Sequence, residues 1–449
     1  MEKKAILGGW LMRSALEEPL ADWGVLMDDG AIETVGPNAE IRRLVDPGRI
    51  EDATSCVVMP GFCDAHMHMY GVLSHGIKVP SAFKDLGGFL KDFWWPLVED
   101  RIDHELIRVT TSHACYEMIQ SGVTSFMDVL EAPNSLPGCL RVEAEVVRGT
   151  GLRGVLSFEA SERMGPELAK AGLEENRRFV AENSSANCSA GGLIRGMMCI
   201  HTTFSCSPSY ISEARAISKD LGCSIHMHLS EGNYEPEQCL ENSGKRPVEL
   251  YRDLDYLGPD VLASQSVQVT PAEVDIMARH GVAVCHMPLS NCEVGAGIAP
   301  VPDMLKRGMR VGLGSDGYVT DFFQVMRGAF LIHKAYRQDA GVMPASQVVD
   351  MATRAGPAII GFERTGLLQE GFRADVIAVD LSHLPTPVLA HNLVDQLLLY
   401  CGPHDVKSVM VDGRYLKKDG RVLVLDGPAV RQRTREAARK FWSEAGGIR

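Results

Sequence analysis

The sequence lacks several features that would place it in a specialised class of protein. Its 45 lysine and arginine residues stand against 58 aspartate and glutamate residues, and this net charge of −13 argues against a surface for nucleic acid or anionic lipid. No apolar run approaches the roughly 20 residues needed to span a bilayer. The 12 cysteines show no C-x-x-C spacing, and the first residues lack the apolar core of a signal peptide. We therefore expect a soluble, cytoplasmic protein without nucleic-acid or membrane partners.

What the sequence does have is the composition of a large globular core. Hydrophobic residues make up 45% and charged residues 23% of the 449 residues, which is ordinary globular usage. At roughly 150 residues per domain the length suggests about three domains, but this count is too high where one large α/β barrel is present. No tandem repeat or low-complexity tract divides the chain further.

Short strands and turns dominate both ends of the chain. The turn Asp28-Asp-Gly30 lies between two apolar runs, which is a hairpin pattern. Near the other end, Ala374–Asp380 and Val406–Gly413 are apolar runs closed by Asp or Asp-Gly. We predict that residues 1–59 and 366–427 pair into one small β-sandwich.

The middle of the chain, residues 60–365, alternates strand-like runs with segments of helical length such as Asp103–Gln120 and Pro271–His280. The pattern predicts an α/β fold, a (β/α)8 TIM barrel, rather than an open doubly wound sheet, because chemically capable residues end most of the strands. A polar helix over residues 428–449 is predicted to pack on the outside. The predicted strands are Val57–Asp64, Val123–Met127, Arg153–Phe158, Gly196–Ile200, Cys223–Met227, Val261–Ser264, Val282–Cys285 and Arg310–Ser315.

The ends of three predicted strands carry a set of residues that suits a metal ion. His66 and His68 are two positions apart, so on a strand both imidazoles reach the same face. Together with His228 and Asp316 they form a nitrogen and oxygen ligand set for one divalent metal, Zn²⁺ first and Fe²⁺ as the alternative. Water at a spare position becomes hydroxide near neutral pH. Glu231, three residues beyond His228, is placed to move protons from that water to a leaving group.

These motifs, in this order, resemble the amidohydrolase superfamily, in the cytosine-deaminase-like branch that holds atrazine chlorohydrolase, S-adenosylhomocysteine deaminase and guanine deaminase. The resemblance covers nearly the whole chain and implies a homodimer with one metal on the four ligands named above. It also implies that Glu231 is the proton shuttle and that Asp316 takes the first proton. No lysine between Lys170 and Lys219 is present to bridge a second metal. The matching segments are Asp28–Ile32, Pro60–His68, Gly122–Asp128, His226–Glu231, His286–Asn291, Gly297–Pro302, Gly312–Gly317 and Gly371–Val376.

One residue departs from the pattern of the family. Most aminohydrolases of this branch end the sixth strand with a histidine, whereas this sequence has Gln265, which can donate a hydrogen bond but cannot carry a proton. We expect Gln265 to take part in catalysis and substrate binding, with a weaker contribution than the about 2.7–4 kcal/mol of an oxyanion donor. His286 and His201, at the ends of the seventh and fourth strands, either contact the substrate as well or are structural.

Two further residues are predicted substrate contacts. His75 stands where many relatives carry arginine after the first strand. Trp95 belongs to Phe93-Trp94-Trp95, which either forms a wall over a flat heterocycle or packs a long loop onto the barrel, the commoner role of aromatic clusters.

The sequence thus predicts a metal-dependent aminohydrolase. Metal-bound hydroxide attacks an electron-poor carbon of a planar purine, pterin, pyrimidine or triazine ring, Glu231 protonates the departing amine, and ammonia leaves. Two alternatives stay open. One is a hydrolase of the same fold that releases a halide or an alkylamine, and Gln265 in place of histidine is the reason to consider it. The other is a barrel that binds metal or ligand without turnover. A nucleic-acid base deaminase is not supported, because the H-x-E and P-C-x-x-C elements are lacking.

Overall fold

The computed structural model of the protein describes residues 3–77, 83, 85–183 and 192–444. Within these residues the strands form three sheets, one of nine strands, one of five and one of four. The strands are β1 (Lys4–Leu11), β2 (Leu20–Ala21), β3 (Trp23–Asp28), β4 (Ala31–Pro37), β5 (Ile50–Pro60), β6 (Phe62–Met67), β7 (Val123–Leu130), β8 (Arg153–Phe158), β9 (Ile194–Gly196), β10 (Met198–Ile200), β11 (Ile225–Leu229), β12 (Val261–Gln265), β13 (Ala283–His286), β14 (Val311–Leu313), β15 (Val376–Asp380), β16 (Val406–Val411), β17 (Arg414–Lys418) and β18 (Arg421–Val422).

Helices separate most of the strands, and no helix among the described residues is long and apolar enough to cross a membrane. Two π-helical turns, Leu90–Trp94 and Met351–Ala355, interrupt the α-helical segments. The α-helices are α1 (Asn38–Ile41), α2 (Leu86–Phe89), α3 (Trp95–Leu97), α4 (His104–Ser121), α5 (Cys139–Thr150), α6 (Pro166–Glu182), α7 (Pro208–Leu221), α8 (Tyr234–Ser243), α9 (Pro247–Asp253), α10 (Pro271–His280), α11 (Pro288–Glu293), α12 (Val301–Lys306), α13 (Phe322–Arg337), α14 (Ala345–Asp350), α15 (Gly356–Ile359), α16 (Leu393–Tyr400) and α17 (Gly427–Glu444).

The bounds of the helices follow their capping residues. At the start of α4, the Asp103 side chain accepts a hydrogen bond from the Leu106 N–H, and Gly122, at a φ of 90°, ends the helix. Thr270 and Glu273 form a reciprocal capping box at the start of α10. Both helices lie within a residue or so of the segments predicted from the sequence.

Both ends of the chain contribute strands to the nine-stranded sheet. Its order is β18-β17-β16-β15-β5-β1-β3-β4, with β2 paired to β1. The predicted turn at Asp28-Asp29-Gly30 joins β3 and β4 as an antiparallel pair. Asp29 and Gly30 both have positive φ, 44° and 77°, as a tight hairpin requires. Strand β5 lies between β1, its parallel neighbour, and β15, its antiparallel neighbour.

The other two sheets contain parallel strands in sequence order, β6-β7-β8-β9 and β10-β11-β12-β13-β14. Hydrogen bonds cross both seams between them: the His201 N–H donates to Ala160 O at 3.1 Å, and the Asp316 N–H donates to His66 O at 3.1 Å. This α/β architecture, with helices between parallel strands, is consistent with the predicted TIM barrel.

Two predicted strands differ from those observed. The fourth, Gly196–Ile200, is divided at Met197 into β9, which pairs with β8, and β10, which pairs with β11. The first crosses between sheets at Gly61, where an added Cβ would lie 2.2 Å from the side chain of Thr124. The predicted metal ligand His66 therefore belongs to a separate strand, β6, that begins at Phe62.

The last helix, α17, covers most of the segment predicted to be helical, and residues 445–449 lie outside the described residues. The guanidinium of Arg101 lies 4.1 Å from the ring centroid of Phe441. The indole N–H of Trp442 donates to Leu73 O at 2.6 Å. The helix therefore contacts the loop that follows β6.

Candidate active site

Four side chains that the sequence predicts as metal ligands lie together at the ends of the parallel strands. Their ligand atoms, from His66, His68, His228 and Asp316, all lie within 4.8 Å of one another. Asp316 Oδ1 is 3.1 Å from His66 Nε2 and 3.5 Å from His68 Nε2. Donor atoms this close, from imidazole and carboxylate, match the ligand sets of catalytic zinc sites.

Unpaired buried atoms indicate that these residues fit a cation. Within the described part of the chain, neither ring nitrogen of His66 nor Asp316 Oδ1 has a hydrogen-bond partner, although all three atoms are buried. The Nδ1–H of His68 donates to Val129 O at 2.7 Å, which leaves Nε2 for a metal. His228 Nδ1 lies 2.8 Å from Glu159 Oε1, which likewise leaves its Nε2. Such partners orient ligating histidines in metal sites.

Glycines allow the Asp316 turn to approach the histidine strand closely. A Cβ on Gly314 would lie 2.6 Å from His66 O, and a Cβ on Gly317 would lie 2.3 Å from His68 O. Larger residues would push the aspartate away from its neighbours. The placement of one carboxylate therefore explains Gly314 and Gly317.

Non-glycine residues with positive φ mark the turns after three of these strands. The φ angles are 48° at Ser230, 65° at Gln265, 52° at Ser266 and 61° at Asp316. This conformation is costly for a residue with a Cβ and persists where the surroundings impose it, often at functional sites.

A cavity of about 280 Å³ opens beside the four ligands. Glu231, Gln265 and His201 line it together with His68, His228 and Asp316. Aromatic and aliphatic side chains form another wall, as in most small-molecule sites. This wall includes Leu86, Phe89, Leu90, Phe93 and Trp94.

The carboxyl group of Glu231 is suited to carry a proton. Burial, reinforced by the nearby charges of Asp316 and Glu159, raises its pKa well above the usual value. A carboxyl with a raised pKa keeps its proton to a higher pH than an exposed carboxyl does, which suits a general acid.

Asp316 is held by two donors on its second oxygen. Gln265 Nε2 donates to Asp316 Oδ2 at 3.0 Å, and the Ser290 hydroxyl donates to the same atom at 2.5 Å. The other oxygen, Oδ1, faces the histidines. The amide N–H₂ of Gln265 is therefore directed at Asp316, and its expected role in catalysis and substrate binding stays a prediction.

The remaining predicted contacts divide into two groups. His201 lines the cavity, its Nδ1 bonded to Ser205 Oγ at 2.7 Å, and burial lowers its pKa well below the usual value, so it is neutral. His75 also lines the cavity, and its Nε2–H donates to Gly317 O at 2.9 Å.

His286 and Trp95 lie outside the described lining of the cavity, in keeping with the structural alternative that the sequence left open for each. His286 is buried and its Nε2 lies 3.1 Å from His333 Nε2 on α13. Trp95 faces a neighbouring cavity of about 550 Å³, under the guanidinium of Arg163 at 5.0 Å. Trp94, one residue earlier, lines the cavity in its place.

Sequence reasoning missed a group of acidic residues beside the ligands. Glu131 and Glu159 directly follow β7 and β8, and together with Glu99 they form a buried cluster in which Arg163 binds Glu99 and Glu131. Burial raises the pKa of both Glu131 and Glu159 to about 7. In the sequence, the positions of Glu131 and Glu159 near the ends of predicted strands could have indicated a role in the site. Ser290, inside a matched motif, was missed as well.

Comparisons with known proteins identify the family of the chain. The model of the amidohydrolase family matches residues 57–416. A 5'-deoxyadenosine deaminase of Methanosarcina mazei is 33% identical, over 93% of this chain and 93% of its own. A 5-methylthioadenosine/S-adenosylhomocysteine deaminase of Haloarcula marismortui is 32% identical, over 99% of this chain and 100% of its own.

A solved structure shares the fold. An adenosine deaminase from Xanthomonas campestris with bound zinc superposes with a TM-score of 0.87 and 23% identity, over 98% of both chains. The family predicted from the order of the sequence motifs is confirmed by the match to its model. The chain belongs to the amidohydrolase family.

Proposed function

We propose that the protein is a metal-dependent deaminase of purine-type heterocycles. The observation that carries the proposal is the convergence of His66, His68, His228 and Asp316 beside Glu231 in one cavity. The curated relatives are deaminases of adenosine derivatives, which confirms the predicted class of reaction. Water replaces the ring amine: a C–O bond forms, the C–N bond breaks, and the proton lost by water leaves on ammonia.

The four ligands would hold one divalent cation, which we propose to be zinc. When bound, the cation would lower the pKa of a coordinated water to near neutrality. Zinc is supported by the nitrogen and oxygen donor set and by the zinc-containing structure of the same fold.

The protein's own residues would move the protons. Asp316 is positioned to accept the proton of the attacking water, and its second oxygen is fixed by Ser290 and Gln265. Glu231, with its raised pKa, would protonate the ring nitrogen and then the leaving amine. His201 and His75, on the cavity wall, would contact the substrate.

We propose, too, that the two parallel sheets close into one (β/α)8 barrel over residues 60–365. The hydrogen bonds at both seams support closure. The shared nine-stranded sheet supports one composite β-sandwich from residues 1–59 and 366–427, with the last helix as a separate segment.

Ammonia release from a panel of amines tests the function. The metal-loaded protein is incubated with 5'-deoxyadenosine, 5-methylthioadenosine and S-adenosylhomocysteine, and with the 6-chloropurine counterparts, while ammonia and chloride are measured. We expect ammonia from at least one amine, loss of activity with a chelator, and recovery with added zinc. Chloride without ammonia would instead favour the halide-releasing hydrolase.

A further inference from the structure

The orientation of the Gln265 amide is fixed by its hydrogen bond to Asp316. The amide nitrogen donates to Asp316 Oδ2 at 3.0 Å, and the Ser290 hydroxyl donates to the same oxygen at 2.5 Å. A carboxylate oxygen accepts hydrogen bonds and has none to give, so only the N–H₂ group of the amide can face it. The hydrogen-bond pattern therefore assigns the nitrogen and oxygen of this side chain.

This orientation leaves the amide oxygen of Gln265 without a partner. Gln265 is 1% exposed, and its Oε1 is buried and accepts no hydrogen bond from any described residue. Buried acceptors are rarely left unpaired, because they lose their bonds to water on burial. Gln265 lines the cavity beside Glu231 and Asp316, so a ligand there can supply the missing donor.

We infer that Gln265 is a specificity residue that accepts a hydrogen bond from an N–H group on, or next to, the carbon under attack. The inference rests on the proposed deaminase function and names the substrate feature that the same site selects. An exocyclic amine has such a hydrogen, whereas a halide in its place has none. The site would therefore favour amines over halides.

The same contact strengthens as the reaction proceeds. When the leaving amine gains a proton, it becomes a cationic donor, and hydrogen bonds with a charged partner are roughly twice as strong as neutral ones. Gln265 cannot stabilise negative charge on an oxygen as a protonated histidine does, but its amide oxygen can stabilise positive charge on a departing nitrogen. In place of the histidine of most family members, Gln265 would thus stabilise the departing nitrogen rather than a negatively charged oxygen.

A matched pair of ligands tests this inference without turnover. Both are measured with the zinc-loaded Glu231→Gln variant by calorimetry: 5'-deoxyadenosine, and its analogue with a methyl group in place of the 6-amino group. The two differ in the N–H donor and are similar in size. We expect the amine to bind about tenfold more tightly, the upper range of one neutral hydrogen bond.

Two substitutions in that background locate the effect. Gln265→Met keeps the length of the side chain and removes both polar atoms, so the ratio of the two dissociation constants should fall to about one. Ser290→Ala removes the other donor to Asp316 and should keep the tenfold ratio. Equal zinc content in all variants, measured by elemental analysis, verifies that the site is intact.

The outcomes separate this inference from the proposed function. Equal binding of the two ligands with Gln265 present would overturn the role of Gln265, and so would an unchanged ratio in Gln265→Met. Either result would count even if ammonia release occurs, and it would mean that the amide oxygen bonds to water instead of the substrate. If neither ligand binds and no amine yields ammonia, both proposals fail. If Gln265→Met does not fold, the ratio measured in the Glu231→Gln variant still decides: a tenfold preference for the amine supports the inference and equal binding overturns it.

Discussion

Strand β8 has a buried arginine cluster near each of its ends, and the two clusters differ in their balance of charge. At the start of the strand, Arg153 makes two hydrogen bonds to Asp375, at 2.8 and 3.0 Å, and one to Asp412 at 2.6 Å. Arg373 also binds Asp412, at 2.6 Å. Two cations therefore face two anions, and the cluster is neutral.

Beyond the other end of the strand, a single cation faces several acids. Arg163 binds Glu131, Asp100 at 2.8 Å and Glu99 at 3.1 Å. Glu159 lies in the same acidic group and reaches His228, a proposed metal ligand. Burial is the main cause of the raised carboxyl pKa values here, and the surplus of negative charge favours a cation at the adjacent site.

The difference matches the two faces of the barrel that we propose. The end where strands begin serves stability, and the end where they finish carries the chemistry. The neutral cluster joins β8 to the nine-stranded sheet, since Asp375 and Asp412 flank β15 and β16. Substitutions at the two ends should therefore change different measured quantities.

The largest effect is expected at the chemical end. Glu231→Gln removes the proposed proton donor and should lower kcat about 10²–10⁴-fold, the usual contribution of a general acid, with the thermal midpoint unchanged. Glu293→Gln is the matched control, because Glu293 also lines the cavity but is exposed. Equal losses of kcat in the two variants would remove the special role of Glu231.

The second largest effect is expected at the opposite end. Arg153→Met leaves Asp375 buried without its cation and should lower the free energy of unfolding by about 3–5 kcal/mol, as measured by denaturant titration. The kcat of the folded fraction should stay close to that of the wild type. Arg177→Met, at an exposed arginine paired with Glu174, should change stability by less than about 0.5 kcal/mol.

A smaller effect is expected where the acidic cluster meets the metal ligands. Glu159→Gln weakens the partner that orients His228, and zinc affinity should fall about 10–100-fold in competition with a chelator. Glu175→Gln provides a control, since Glu175 is a buried carboxylate that binds the N–H groups of Gly138 and Leu140 instead. A zinc affinity that is unchanged in Glu159→Gln would contradict this role.

The pH dependence of stability should also differ. Burial raises the pKa of Glu131 to about 7 in the metal-free folded state, whereas a glutamate in the unfolded chain has a pKa of about 4.3. The folded state therefore binds the carboxyl proton of Glu131 more tightly than the unfolded chain does. The stabilisation is complete below that lower value and is lost as the pH rises through 7. Thermal midpoints of chelated protein should therefore fall between pH 5 and pH 8, and fall less in Glu131→Gln.

The smallest effect concerns the outer support of the cavity. Trp442→Phe removes the hydrogen bond to Leu73 O in the loop after β6 and should reduce stability by about 1 kcal/mol. We expect a modest rise in KM, because residues of that loop line the cavity. An effect on kcat as large as that of Glu231→Gln would contradict a supporting role.

Local patterns predicted most of the site, and long-range contacts account for what they missed. The i, i+2 spacing of His66 and His68 depends only on strand geometry and is visible in the sequence. The pairing of His286 with His333, by contrast, depends on how α13 packs against β13. Which of two adjacent tryptophans faces the cavity depends on the π-helical turn Leu90–Trp94, which no simple period predicts.

The roles of Gln265 and the acidic cluster illustrate the same limit. The residue type showed that Gln265 can both donate and accept hydrogen bonds, but only its distance to Asp316 showed that the amide nitrogen bonds to that carboxylate. Glu99 lies far from Glu131 and Glu159 in sequence, and Arg163 brings them together. The strand order was predicted well because βα alternation is a local pattern. The division of the fourth predicted strand at Met197 was not predicted.

The passage of the chain from one sheet to another at Gly61 has a consequence for biosynthesis. Strand β5 lies between β1 and β15, and β15 is made from residues 376–380. During synthesis the strand that precedes the H-x-H motif therefore lacks one neighbour until residues 376–380 have left the ribosome. Since Asp316, the proposed aspartate ligand, is made long after His66 and His68, we expect metal loading to follow synthesis of the histidine pair rather than accompany it.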